Sequence, residues 1–419
     1  VSVFLYVVIT IFVCVLIFNL KSPGKRIEHE ILQIGALDSD VVIRSIGQLL
    51  GPPLVAGNKI TPLQNGDEIF PAILEAIDQA KHTITFETFI YWSGDIGKRL
   101  ADALIKKAKE GVSVHILLDW LGSRRCDEKI IQSMKDAGVQ VERYRPLRWY
   151  NMSRVNNRTH RKILVIDGLI GFTGGVGIAD QWEGRAQDKD HWRDSHFKIE
   201  GPVVAQLQSA FLDNWNSTRP EVLHGDRYFP VIPKADGMMA QIFKSSPEEG
   251  SGSVRLMYLY SIAHANSKIC IANAYFVPDT HVRKMLIDAR KRGVHIEVIV
   301  PGPNIDTAVT RRASRAVWGE LLEAGVRIFE YQPTMFHCKY MIVDDVWVSV
   351  GSTNLDNRSF RLNDECNLNV VDGGLAEELS EVFEIDKAGS KEITLEDWKK
   401  RPLMEKIIEF FAHLARSQV

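Results

Sequence analysis

His160-Arg161-Lys162-Ile163-Leu164-Val165-Ile166-Asp167 decides the reading of this chain, because it returns as His337-Cys338-Lys339-Tyr340-Met341-Ile342-Val343-Asp344. Both stretches read H-x-K-x-x-x-x-D. An apolar run separates Lys from Asp in each, the pattern of a buried strand. Residues two apart on a strand point to the same face, so each His is expected beside its Lys. Cys338, between the two, is expected to face away from them and to be a core residue rather than a nucleophile. At one shared offset after each Asp stands a small pair, Gly174-Gly175 and then Gly351-Ser352. Small side chains let backbone N–H groups come close to an anion.

Outward from these strands the chain repeats itself. Strand patterns at 82–91 and 267–275 correspond, as do those at 112–119 and 294–300. Helical patterns at 96–110 and 282–292 are closed by Gly111 and Gly293. Asp136-Ala137-Gly138-Val139 has its counterpart in Glu323-Ala324-Gly325-Val326. Further helices are expected over 67–80 and 127–137, and a strand over 139–144. Strands and helices alternating at these lengths imply an α/β fold with a parallel or mixed sheet. Each half holds one His-Lys pair, so the halves must dock to build one site.

The chain has 419 residues, enough for two domains or one duplicated one, and is 45% hydrophobic and 25% charged, an ordinary globular balance. A formal net charge of −2 argues against a globally basic nucleic-acid binder. Five cysteines, an odd number with one in the apolar N-terminus, do not suggest a disulfide framework. No carboxylate or Cys/His cluster calls for a metal, and no cofactor is expected.

Residues 1–20 are almost wholly apolar, long enough for one membrane-spanning helix. They read as a transmembrane anchor; a signal peptide is the alternative. Lys21, Lys25 and Arg26 then place the C-terminal bulk in the cytoplasm by the positive-inside rule. Residues 21–60 read as a stalk and lead-in, 61–216 as the first half, 217–253 as a Pro-, Gly- and Ser-rich connector, 254–390 as the second half, and 391–419 as a helical tail. Leu403, Ile407, Phe410, Phe411 and Leu414 fall at helical spacing, suited to packing on the core or, second, to a membrane surface.

The doubled motif resembles that of the phospholipase D superfamily, whose two HKD motifs build one active site. The resemblance covers about residues 55–400, and within the superfamily the chain is most similar to bacterial cardiolipin synthases. It implies two pseudo-repeated phospholipase D-like α/β/α halves with mixed sheets, an active site at their interface, and an N-terminal transmembrane helix. The catalytic set is then His160, Lys162, Asp167, His337, Lys339 and Asp344. By the same resemblance Asp194 and Glu365 orient the histidines, which leaves Asp167 and Asp344 the more structural task of capping the turn after each strand. Gly174, Gly175, Ser352 and Asn354 support the site. Gly351-Ser352-Thr353-Asn354-Leu355-Asp356-Asn357-Arg358 matches the family's G-S-x-N-x-D-x-R, with Asn354 as a phosphate donor. The first copy departs from it: Gly177 stands where Asn is usual, so one side-chain donor is missing.

Phosphodiester transfer needs charge neutralisation, a nucleophile and a proton donor for the leaving alkoxide. Two imidazoles can divide the last two tasks because they titrate near neutrality. The resemblance makes His160 the nucleophile, through a phosphohistidine, and His337 the acid and base. Lys162 and Lys339 supply positive charge. Arg143, Arg145, Arg148, Arg154, Arg158, Arg161 and Lys162 follow one another with no acid between, interleaved with Trp149 and Tyr150. Leading straight into the motif, they read as a funnel for an anionic substrate, with a solvated face as the alternative. The function implied is a membrane-anchored phosphatidyltransferase of the inner membrane, making cardiolipin from two phosphatidylglycerols. Hydrolysis by water, a nuclease and a catalytically dead scaffold remain as alternatives.

Overall fold

The computed structural model describes residues 31–147, 156–247 and 253–414. The apolar stretch 1–20, and with it the expected transmembrane helix, lies outside the described residues. Among the described residues no helix is long and apolar enough to cross a membrane.

Among the described residues the first half contributes seven strands: β1 (Val55–Gln64), β2 (Thr83–Thr88), β3 (Ser113–Asp119), β4 (Gln140–Tyr144), β5 (Ile163–Ile166), β6 (Ile170–Gly174) and β7 (Ser195–Glu200). The second repeats them as β8 (Met238–Ser245), β9 (Lys268–Asn273), β10 (His295–Pro301), β11 (Arg327–Tyr331), β12 (Lys339–Val343), β13 (Trp347–Gly351) and β14 (Glu365–Val371), and adds β15 (Ser390–Ile393) at the edge. Their spatial order is β15-β11-β10-β9-β12-β13-β14-β8-β1-β7-β6-β5-β2-β3-β4, palindromic about the β8–β1 junction apart from β15. β2, β3 and β4 are parallel, as are β9, β10 and β11; the remaining pairs are antiparallel. The sheet is mixed, as expected, but the two halves share one continuous sheet. It is closed by antiparallel pairing of Val55 with Ala240 and Ala56 with Met239.

The 217–253 stretch, expected to be a connector, therefore carries β8, a central strand. Pro, Gly and Ser on either side mask it in the sequence, and its partners β1 and β14 are remote in the chain. The expected stalk is likewise structured. Helix Asp40–Leu49 buries Val42 and Ile46 among Met257, Tyr258 and Phe243, in the core of the second half. The chain thus packs on the second half before it builds the first. A further core lies under helices Val204–Thr218 and Gly373–Ala388, where residues of both halves, such as Trp215, Phe211, Leu379 and Phe383, form one apolar cluster.

The hairpin after each motif has a local cause. Asp167 and Gly168 both take positive φ, 53° and 68°, between β5 and β6, and Asp344 and Asp345 take 53° each between β12 and β13. Asp and Gly tolerate this left-handed backbone, which suits a tight reversal between twisted strands. All four residues of β5 and all five of β12 are buried.

Candidate active site

Both motif histidines stand just before their strands, which begin at Ile163 and at Lys339. There each is stitched to the opposite half. Thr159 forms a parallel bridge with Asp364, and Phe336 one with Arg193. The His160 N–H donates to the Asp364 carbonyl (2.9 Å), and the His337 N–H to the Arg193 carbonyl (2.7 Å). The residue after each bridge partner is an acid, so the carboxylates cross over. Glu365 Oε2 lies 3.1 Å from His160 Nδ1, and Asp194 Oδ2 lies 2.7 Å from His337 Nδ1. An ionised carboxylate on Nδ1 fixes the tautomer with its lone pair on Nε2, the nitrogen left free for chemistry.

The two acids are themselves held differently. Glu365 accepts from the hydroxyls of Ser352 and Ser359 (the latter at 2.7 Å). Asp194 instead accepts from the indole N–H of Trp182 (2.9 Å) and the Ser195 N–H (2.9 Å). Trp182 also accounts for Gly177. A Cβ there would stand 2.8 Å from Ile90 Cβ and 3.2 Å from two ring carbons of Trp182. The volume an Asn would need is taken by the indole, which meets His337 edge-on at 5.3 Å between centroids and supplies an N–H to its acid. Only the gap at Gly177 could have signalled this from sequence.

Both lysines donate to the carbonyl of their own motif histidine, Lys162 at 2.8 Å and Lys339 at 2.6 Å. Lys339 Nζ also lies 3.0 and 3.2 Å from the two ring nitrogens of His337. Burial, helped by Lys339, brings the Lys162 ammonium down to about 7. Burial also lowers Lys339. Burial and then the nearby Lys162 bring His160 down to about 4, against the pull of Glu365. Burial and Lys339 lower His337 too. Burial opposes ionisation of Asp194 and Glu365, yet their histidines, the lysines and the hydrogen-bond donors together hold both below the usual carboxylate range. Lys339 acts on His160 and Lys162 on His337, so the two constellations share one field.

A cavity of about 260 Å³ opens on this cluster, lined by Phe89, His160, Tyr275, Thr307, Asn354 and Arg358 among others. Asn354 presents a buried Oδ1 that has no hydrogen-bond partner among the described residues. Tyr275 meets His337 edge-on at 6.3 Å and bonds Asp306 through its hydroxyl, while Phe89 meets His160 edge-on at 5.5 Å. Arg358 brings a guanidinium to the wall and donates to Asn156. Phe89, Tyr275 and Trp182 carry no motif, and sequence reasoning missed them.

Several expected residues lie elsewhere. Asp167 and Asp344 stand at the far ends of β5 and β12, about 16 Å along the strand from the lysines at the usual rise per residue. Asp167 accepts from the N–H groups of Lys81, His82 and Thr83, and Asp344 from those of Asn266, Ser267 and Lys268. The small pairs are not an anion loop. The Gly175 N–H bonds the Ser195 carbonyl and the Ser352 N–H the Cys366 carbonyl. Gly175 is small because a Cβ would fall 2.1 Å from Asp194 Oδ1, and Gly174 because a Cβ would fall 2.7 Å from the Ser195 carbonyl. The basic run does not form a funnel as a unit. Arg158 is buried against Asp119 (3.1 Å), Arg161 against Asp213 (3.1 Å), and Arg143 pairs with Glu128. Arg145 lies over the Tyr144 ring. Arg148, Arg154, Trp149 and Tyr150 lie outside the described residues. Periodicity could not tell a cation for substrate from one for an internal acid, because the acids are remote in sequence. Cys338 is fully buried, facing Ser195 and the Arg193 carbonyl, and burial pushes its thiol up to about 12.

The profile described as "Cardiolipin synthase, PLD-like domain" matches residues 73–215 and 258–387, one block in each half. The chain belongs to this phospholipase D-like family. Cardiolipin synthase 1 of Bacillus anthracis is 36% identical over 93% of this chain and 78% of its own length. Cardiolipin synthase A of Pseudomonas putida KT2440 is 37% identical over 88% of this chain and 76% of its own. Among solved structures, phosphatidylserine synthase of Haemophilus influenzae covers 90% of this chain with 99% of its own at a TM-score of 0.68. At 16% identity it shares the fold. The two profile blocks of the family coincide with the two halves that exchange their acids.

Proposed function

We propose that this phospholipase D-like chain is a phosphatidyltransferase that joins two phosphatidylglycerols into cardiolipin and releases glycerol. The observation that carries the reading is the crossed pair, His160 with Glu365 and His337 with Asp194, each histidine flanked by its motif lysine. The relatives named cardiolipin synthases support the choice of lipid and acceptor.

In the first step the His160 Nε2 lone pair attacks phosphorus, and the P–O bond to the departing glycerol breaks. His337, protonated, gives its proton to that oxygen. In the second step His337 takes the proton from a glycerol hydroxyl of the second phosphatidylglycerol. The resulting oxygen attacks phosphorus, and the P–N bond to His160 breaks. Lys162, Lys339 and Asn354 face the non-bridging oxygens; a bound anion restores full charge to Lys162 and favours protonation of His337. The hydrogen bonds favour this division of roles. Each acid also accepts from two other donors, and Asp194 lies nearer its histidine than Glu365 does. His337 is therefore the better placed to hold a proton, and His160 to offer a lone pair.

Gly174, Gly175 and Ser352 serve this scheme by making room for the acids, and Asp167 and Asp344 by fixing the strands. We place the enzyme at the inner membrane, with residues 1–20 as its anchor and the catalytic halves in the cytoplasm. The test is the full chain in detergent with phosphatidylglycerol as the only lipid. Cardiolipin and glycerol in equal amounts are expected. Phosphatidic acid and glycerol would mean that water enters the second step, and no lipid product would overturn the reading.

A further inference from the structure

Helix Leu403–Leu414 is docked inside out. At 3.6 residues per turn, Leu403, Met404, Ile407, Phe410 and Phe411 share one side, and Glu405 and Glu409 the other. A surface helix normally buries the apolar side. Here Glu409 is 4% exposed, whereas Leu403 is 74%, Phe410 60% and Phe411 64% exposed. The carboxylate of Glu409 holds the helix in place through Arg315 Nε (3.0 Å) and Arg401 Nη1 (3.3 Å), and Arg401 in turn lies 3.9 Å over the Trp398 ring. The polar face is thus matched by a buried ion-pair network, and the apolar face is turned outwards. A contiguous ridge of this kind marks an interaction surface.

We infer that this ridge is a membrane-docking surface that inserts into the headgroup region of a bilayer containing anionic phospholipid. The inference rests on the proposed phospholipid substrate and adds to it how the site meets that substrate. Two observations select lipid as the occupant. The helix that anchors the ridge, Ala308–Ala316, also walls the catalytic cavity: Thr310 and the preceding Thr307 line the cavity, while Arg315 holds Glu409. One short rigid element therefore joins ridge and pocket. Cations border the ridge as well. Lys399 and Lys406 line a cleft of about 410 Å³ with Trp398 and Phe410, and Arg312 is exposed on the anchoring helix. The nearby acids are engaged within the protein, Glu323 with Lys399 (3.1 Å), Glu405 with Arg315, Glu396 with Lys400 and Asp397 with Thr394, so the positive charge at the ridge comes from Lys406 and Arg312. Apolar side chains at the centre with cations at the side is the pattern of a helix lying in an anionic interface.

The test uses the full chain with Cys14→Ser and Phe411→Cys, the other four cysteines being buried. A fluorophore on residue 411 is followed in vesicles of phosphatidylglycerol and phosphatidylcholine. Quenching by nitroxide-labelled acyl chains is expected, and it needs no catalysis. A label that stays unquenched by lipid but becomes shielded as protein per vesicle rises would assign the ridge to a second copy and overturn the inference. A label open to water throughout would overturn it too. The companion variant, Phe410→Asp with Phe411→Asp, should lose at least about tenfold in turnover of bilayer phosphatidylglycerol, because two large apolar side chains no longer bury in lipid. It should keep the wild-type rate on a short-chain phosphatidylglycerol dissolved as monomers, and equal losses on both would count against docking. If wild type turns over neither form, the proposed function fails while the quenching result still stands.

Discussion

Asp194 and Glu365 do the same work with different partners, and this asymmetry sets apart two histidines that the motif makes look equivalent. His160→Ala should abolish turnover and any adduct. His337→Ala should keep the nucleophile and lose the proton donor. With a leaving group that needs no proton, it should recover much of the about 10²–10⁴-fold that general acid catalysis supplies and accumulate a phosphohistidine, stable to base and labile to acid. Base-quenched mass spectrometry checks this, and an adduct on His337 in the His160→Ala protein would reverse the roles. Trp182→Phe keeps a ring beside His337 and removes the N–H from Asp194. A hydrogen bond to a charged group is commonly worth about 1.5–3 kcal/mol, so turnover should fall roughly ten- to a hundredfold. The less stabilised carboxylate should also hold the His337 proton more tightly and move the basic limb of the pH–rate profile upwards. A loss with no shift of that limb would mean that Trp182 acts through packing alone.

At the scale of the element, Asp167 and Asp344 separate a motif letter from a chemical role. Each gathers three backbone N–H groups at the start of the neighbouring strand, β2 or β9, and so fixes where β5 or β12 ends against it. Asp344→Ala leaves those donors without their acceptor. A cost of about 2–4 kcal/mol is expected, from several lost charge-assisted bonds partly replaced by water. Urea unfolding checks the cost. The folded fraction should retain turnover within about tenfold of wild type, whereas a catalytic group would cost far more. Gly175→Ala reverses this: its Cβ would meet Asp194, not the strand, so activity should fall much further than stability.

For the whole molecule, buried neutral imidazoles contribute a loss of stability towards acid. Burial depresses His115, His160 and His196 from 6.5 to about 4. In each the folded value lies below the unfolded one, so as pH falls the unfolded chain takes up the proton first. The stability they contribute is complete above pH ~6.5 and is lost as pH falls towards ~4, by up to about 3 kcal/mol per ring. The buried carboxylates Asp194 and Glu365, also depressed, add a loss in the same direction below the ordinary carboxylate range. Glu87, Asp356 and Asp119, raised by burial to about 7, 7 and 6, take up their protons first in the folded state and oppose this loss over the same range, so the histidine part is read by comparing variants. His115→Phe, remote from the pocket, should remove about a third of the histidine part of the slope of urea midpoint against pH. A His115→Phe protein whose urea midpoint follows pH as the wild type's does would contradict the burial of that ring.

The sequence by itself determined the duplication, the α/β alternation and the two His-Lys pairs. These rest on local patterns: the doubled H-x-K with its apolar strand, helices closed by Gly111 and Gly293, and the turns that Asp167 and Asp344 permit. It also contained Asp194 and Glu365, but not which histidine each would serve. That was decided by the bridges Thr159–Asp364 and Phe336–Arg193, pairings between residues that are far apart in the chain. Non-local pairing likewise turned a Pro- and Gly-bordered stretch into β8 and joined the halves into one sheet. Arg158 and Arg161, legible as a basic run, became internal partners of Asp119 and Asp213 because burial of a cation demands an acid and only the fold brings one. Helix Leu403–Leu414 shows the same limit from the other side. Its periodicity marked an apolar face, but whether that face turned inward depended on Glu409 finding Arg315 and Arg401. Local sequence fixes which groups a strand or helix can present; the tertiary pairing of remote segments decides what they meet.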